Sequence, residues 1–229
     1  MAESLKGSFI EVMKARILSG ELKPGDRLPP ERELAQENGI SRGSVNQGIL
    51  DLERMGFLRI VPRKGTFVSE YGRKATPETL AAIMTYNSPL FDRKIFTDFM
   101  DLRILIEREC VALAITSLNS GKEKLLLDAT DTIYSAEDDA IVDAVYEYHK
   151  CLTDISGNIA YAMVFQSFSI MIRNLIMEHY KDKKEVEKSL PKFNILTSAV
   201  IAKDGKKADE TILSLLSSAS EYLADHFKK

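Results

Sequence analysis

Leu28-Pro29-Pro30-Glu31-Arg32-Glu33-Leu34-Ala35 is the stretch on which the reading of the N-terminal third turns. A proline lacks an N–H and has φ fixed near the helical value, so Pro30 suits the first turn of a helix that carries Leu34 inward until Asn38-Gly39 breaks it. Upstream, Leu5, Phe9, Val12, Met13 and Ile17 recur at spacings of three and four, which predicts a helix over roughly Leu5–Ser19, closed by Gly20 and followed by a turn at Lys23-Pro24-Gly25-Asp26. Downstream, the Ser41 hydroxyl caps a third helix. Its buried stripe is Val45, Ile49, Leu52 and Met55, which leaves Arg42, Gly43, Ser44, Asn46 and Gln47 at or near the exposed N-terminal end. After Gly56, residues 57–61 have strand composition, 62–65 read as a tight turn, and 66–68 return as a second strand. Three helices followed by a hairpin describe a winged helix.

Beyond residue 70 the text changes. Residues 71–77 carry charge, a glycine and no apolar period, and are expected to form a linker. Helix-compatible segments then follow at about 78–86, 94–118, 122–135, 138–155, 159–180, 183–203 and 206–227, broken at Ser88-Pro89, Asn119-Ser120-Gly121, Ser156-Gly157-Asn158 and Asp204-Gly205. No strand-like alternation survives in this half. The expected fold is therefore mainly α: a winged helix-turn-helix over 1–70, and an all-α antiparallel bundle over 78–229 that serves effector binding and dimerisation.

Composition narrows the function classes. With 45% hydrophobic and 28% charged residues, the 229-residue chain can bury a substantial core. Cys110 and Cys151 give neither a disulfide framework nor a CxxC motif, and the N-terminus has no apolar run of signal-peptide length, so a cytoplasmic protein without a membrane partner is expected. Residues 1–70 hold 11 Lys/Arg against 10 Asp/Glu and the remainder 20 against 24, an asymmetry that permits a DNA-binding N-terminal domain without requiring one. Nothing resembles a nucleophile with its base, a phosphate-binding glycine loop or paired carboxylates, so an enzyme is not expected.

The residue chemistry of the first domain points to DNA. Ser41-Arg42 at a helix start sets backbone N–H groups and a guanidinium where a phosphate or guanine edge lies in a major groove. The basic tip Arg63-Lys64-Gly65 can follow the adjacent minor groove, and Arg32 can reach the backbone or a base. The quoted string, together with Ile40-Ser41-Arg42-Gly43-Ser44-Val45 and Val61-Pro62-Arg63-Lys64-Gly65-Thr66-Phe67-Val68, resembles the GntR family of bacterial regulators, and the helical remainder is similar to its FadR subfamily. The resemblance implies a homodimeric, ligand-responsive transcription regulator, a repressor or an activator, that binds double-stranded operator DNA. The resemblance carries DNA contact over to Arg32, Arg42 and Gly65, and the exposed polar and basic chemistry of Ser44, Asn46, Arg63 and Lys64 completes the expected DNA-binding set. Asn46 stands where the family often has a second arginine, and asparagine favours adenine over guanine.

The same resemblance raises a metal question. Many members hold a divalent ion with an Asp-x-x-x-His pair on one helix and two further histidines on the last two. Here His149 matches the first histidine, while the other positions fall at Val145 and near Phe193 and Leu215, so no metal and no cofactor are expected. The string Ser156-Gly157-Asn158-Ile159-Ala160-Tyr161 with His179-Tyr180 looks like the acyl-CoA-responsive branch. An organic anion, acyl-CoA or a small carboxylate, is the expected effector, with Arg103, His149, Arg173 and Asn174 as its residues. For Arg103 an ion pair with Glu107, one turn on, is the plain alternative. The competing functions are a winged-helix protein-interaction adaptor without an effector, and a metal-dependent carboxylate-sensing regulator.

Overall fold

The computed structural model describes residues 2–70, 76–85, 93–137 and 140–226, and its contacts divide the chain into two compact units, 1–91 and 92–229. The first unit comprises α1 (Ala2–Leu18), α2 (Glu31–Asn38), α3 (Arg42–Arg54), β1 (Leu58–Val61), β2 (Gly65–Val68) and α4 (Pro77–Thr85). Phe9, Met13 and Ile17 of α1 are buried, as are Val45, Ile49 and Leu52 of α3, whereas Leu5 and Val12, expected on the same face of α1, are exposed. Gly48 lets the two helices approach closely: a Cβ there would lie 2.5 Å from the Phe9 ring. Gly39 ends α2 in the left-handed region (φ 63°), where glycine carries no Cβ penalty.

The hairpin is antiparallel, with Leu58 opposite Val68 and Val61 opposite Gly65. It gains a third edge from the segment before α2. Leu28 N donates to Thr66 O and Val68 N to Asp26 O, each at 2.9 Å, and Arg27 bridges Phe67. Composition groups α4 with the C-terminal half, but it packs with the first unit: Thr79 is fully buried and its hydroxyl donates to the Met55 carbonyl at the end of α3.

The second unit is helical throughout its described residues: α5 (Arg93–Ser117), α6 (Ser120–Ser135), α7 (Ala140–Ser156), α8 (Ile159–Ser167), α9 (Ser169–Tyr180), α10 (Lys183–Ile201) and α11 (Gly205–His226). Its core helix is α5, whose buried stripe runs Phe96, Phe99, Met100, Arg103, Ile106, Glu107, Cys110, Val111 and Ala114. Two charged residues on that stripe are the first indication of a site. The helix expected over 159–180 is two helices meeting at 63°. The bend sits at Phe168 (φ −101°, ψ 13°), flanked by serines, and Ser167 Oγ donates to the Val164 carbonyl. Hydroxyls beside a backbone compete with its helical ladder, and the bend seats Phe168 edge-on against Phe99, with centroids 5.2 Å apart. No single helix among the described residues is long and apolar enough to cross a membrane.

Candidate functional site

At the start of α3, Ser41 has extended backbone (ψ 151°) and its Oγ accepts from Ser44 N at 3.1 Å, so the cap is the one its residue type dictates. Ser44 Oγ lies 2.9 Å from Ser41 Oγ, which ties the hydroxyl expected to meet DNA into the cap itself. Arg42 and Arg32 are exposed, and neither has an ion pair or hydrogen bond to another described residue. Asn46, one turn after Arg42, is half-buried, and its Nδ2 donates to Glu31 Oε1 at 2.9 Å. At the wing tip Arg63 and Lys64 are exposed, Arg63 is in the left-handed region (φ 64°), and Gly65 has φ 113°.

Sequence reasoning missed Arg27. It is exposed on the third edge of the wing, and its Nε lies 3.0 Å from where a Cβ on Gly65 would stand. Reading 23–26 as a turn and the following residues only as an approach to α2 hid the strand-like pairing that places it there.

The second unit holds a partly open cavity. Glu107, 2% exposed, is held from two sides: Arg103 Nε donates to its Oε1 at 2.6 Å, and His149 Nδ1 lies 2.5 Å from its Oε2. Burial alone would push this carboxyl up. The charges and hydrogen bonds of His149 and Arg103 outweigh it and hold the Glu107 pKa at about 2. The pairing of Arg103 with Glu107 is thus formed, its Nε being spent there, and the residue also lines the cavity. No further hydrogen bond of this guanidinium exists among the described residues.

Val145, His149, Phe193 and Leu215 all line this one cavity, so the four positions that the resemblance assigns to metal ligands do converge. Three of them carry hydrocarbon, and among the described residues no group of three or more His, Cys, Asp or Glu is placed to hold a metal ion. The donor set does not fit a metal. A second histidine, His179, lines the same cavity, with Nε2 3.3 Å from Glu185 Oε2; burial lowers its pKa, against the pull of Glu185. Tyr180 also faces the cavity, and burial raises its hydroxyl to about 12, against a hydrogen bond from Ser189. The space between its lining atoms, including the part open to solvent, is about 380 Å³.

Arg173 and Asn174, expected with Arg103 and His149, are not among the residues lining this cavity. The Arg173 guanidinium pairs with Asp143 and, at 2.8 Å, with Glu147, and lies 3.8 Å over the Tyr146 ring. Helical spacing alone does not reveal those carboxylates, because they come from α7.

A capped, basic helix start and wing joined to a helical unit with a buried arginine-lined cavity is the construction of a transcriptional regulator with a sensing domain. Residues 9–68 match the family described as bacterial regulatory proteins, gntR family, and residues 98–218 match the FCD domain. The chain belongs to the GntR family, in the group that pairs its helix-turn-helix with an FCD effector-binding domain. It is 24% identical over 220 residues to the HTH-type transcriptional regulator LutR of Bacillus subtilis, spanning 93% of this chain and 98% of that one. The HTH-type transcriptional repressor NagR of the same species is 44% identical over 62 residues, 27% of this chain and 26% of the other. Among solved structures, Lar, described as controlling the Listeria monocytogenes agr system, superposes with a TM-score of 0.68 at 18% identity over 94% of both chains. McbR/YncC of E. coli gives 0.55 at 17% identity, covering 97% of this chain and 98% of that one. These likenesses support the fold, and the relatives are regulators rather than enzymes.

Proposed function

We propose that this chain is a cytoplasmic homodimeric regulator that binds operator DNA and releases or reshapes that binding when a small organic anion enters the cavity of its second unit. The carrying observation is Arg103: a buried guanidinium that spends Nε on Glu107, in a cavity lined also by His149 and His179. Glu107 neutralises one positive charge, and the remaining donors of arginine and histidine suit a carboxylate, for which a guanidinium offers bidentate geometry. The small free volume favours a small carboxylate over an acyl-CoA. Arg32, Arg42, Asn46, Arg63, Lys64 and Gly65 form the DNA-facing set, with Ser44 completing the cap of the reading helix. Two-fold symmetry would match half-sites about one helical turn apart.

The test is fluorescence anisotropy on a selected operator duplex, with and without a panel of small carboxylates. Wild type should bind with a steep salt dependence, since phosphate neutralisation releases counterions, and one class of carboxylate should change its affinity. Arg103→Met should keep operator affinity and lose the ligand response. A salt-independent interaction would favour the adaptor reading. A full ligand response in Arg103→Met would return Arg103 to a purely structural role.

A further inference from the structure

We infer that Glu31 is a specificity-determining residue of the DNA-reading helix: it takes an N–H of Asn46, fixes which edge of that amide faces the base pairs, and so selects bases that present an exocyclic amino group in the major groove. This rests on the operator-binding reading above.

The argument starts from donor and acceptor chemistry. An ionised carboxylate only accepts hydrogen bonds, whereas an asparagine amide has an NH₂ end that donates and an oxygen end that accepts. With Glu31 Oε1 2.9 Å from the Asn46 side chain, only the NH₂ end can be turned toward it; the reversed amide would set oxygen against oxygen. Oδ1 is thereby directed away from Glu31. Asn46 lies one turn beyond Arg42 at the N-terminal end of α3, while Val45, Gly48 and Ile49 occupy the buried side of that helix. The outward edge of Asn46 thus offers an acceptor, with the second amide hydrogen beside it.

The major groove answers such an edge unequally. Adenine presents N6–H₂ beside N7, and cytosine presents N4–H₂; guanine and thymine present only acceptors there. An amide held with oxygen outward therefore favours adenine, tolerates cytosine and disfavours guanine and thymine. Without Glu31 the amide can rotate by half a turn and meet either kind of base. The carboxylate adds negative charge near the phosphates, so Glu31 sharpens discrimination while lowering overall affinity.

The experiment uses the full chain and random duplexes. Selection with wild type defines the operator, selection with Asn46→Ala identifies the position at which preference is lost, and Glu31→Gln is then measured on the four bases at that position. Glutamine can donate to Oδ1 as well as accept from Nδ2, so it holds both amide orientations. Wild type should prefer adenine or cytosine over guanine or thymine by roughly tenfold or more. In Glu31→Gln this ratio should fall to within about threefold, on the same scale of discrimination, with preferences elsewhere unchanged and the thermal midpoint retained. An unchanged ratio in Glu31→Gln, a wild-type preference for guanine or thymine, or no position that depends on Asn46 would overturn the inference while leaving operator binding intact. Failure of wild type to enrich any sequence would instead overturn the operator reading on which it rests.

Discussion

Replacing Glu107 by glutamine tests the electrostatics of the cavity through stability. The side chain is 2% exposed and hydrogen-bonded to both Arg103 and His149. Glutamine keeps the shape and can still accept from Arg103 Nε, so the substitution removes charge rather than volume. The folded protein holds the Glu107 carboxyl at about 2, against an ordinary value of 4.5. A displacement of that size corresponds to about 3 kcal/mol of stability at neutral pH. The folded value is the lower one, so this contribution is fully present above pH 4.5 and is lost as the pH falls from there toward 2. In a unit of this size the loss should lower the melting transition of the helical unit by about 10 °C. Calorimetry at pH 7, with hydrogen exchange along α5 to assign the transition to this unit, gives the first number, and repetition at successively lower pH gives the second. The gap between wild type and Glu107→Gln should narrow through the acid range. Equal stability at pH 7, or a gap as wide at pH 3 as at pH 7, would show that Glu107 is not held in place as an anion.

Three further outcomes follow from particular contacts. Arg42→Ala should reduce operator affinity by about 1–3 kcal/mol for the lost contact without changing the melting temperature, since its exposed side chain packs against no core; a mobility-shift titration indistinguishable from wild type would remove Arg42 from the reading set. Gly65→Val should weaken DNA binding, because its φ of 113° suits no β-branched residue and the new Cβ would meet Arg27 Nε at 3.0 Å; equal binding would make the wing a bystander. Gly48→Ala should destabilise the first unit by about 1–3 kcal/mol through overpacking, because its Cβ would stand 2.5 Å from the buried Phe9 ring; urea denaturation showing no loss would mean that the ring moves aside freely.

The sequence announces features that are local. Proline before α2, serine before α3, glycine after α2 and the three-and-four stripe of α1 each act within a turn or two, and the helices and hairpin lie where those signals put them, within a few residues. It is quieter about features that depend on partners far along the chain. The seating of Phe168 at the bend is met by Phe99, the engagement of Arg173 is decided by carboxylates on α7, and the allegiance of Pro77–Thr85 by the Met55 carbonyl. The cavity is an intermediate case. Val145, Phe193 and Leu215 can be placed by register against a known ligand pattern, whereas His179 has no counterpart in that pattern, and the His179-Tyr180 string does not by itself put it in the cavity.

The bond between Thr79 and the Met55 carbonyl bears on where this protein can be cut. Helix C-termini leave carbonyls without intrahelical partners, and one of those at the end of the DNA-reading helix is met by the hydroxyl of Thr79, itself fully buried. A fragment ending just past the matched DNA-binding segment, which closes at residue 68, would leave that carbonyl without its Thr79 donor. Cooperative opening follows such contacts rather than motif boundaries. The contacts that complete the first unit thus reach beyond the motif that names it, into Pro77–Thr85.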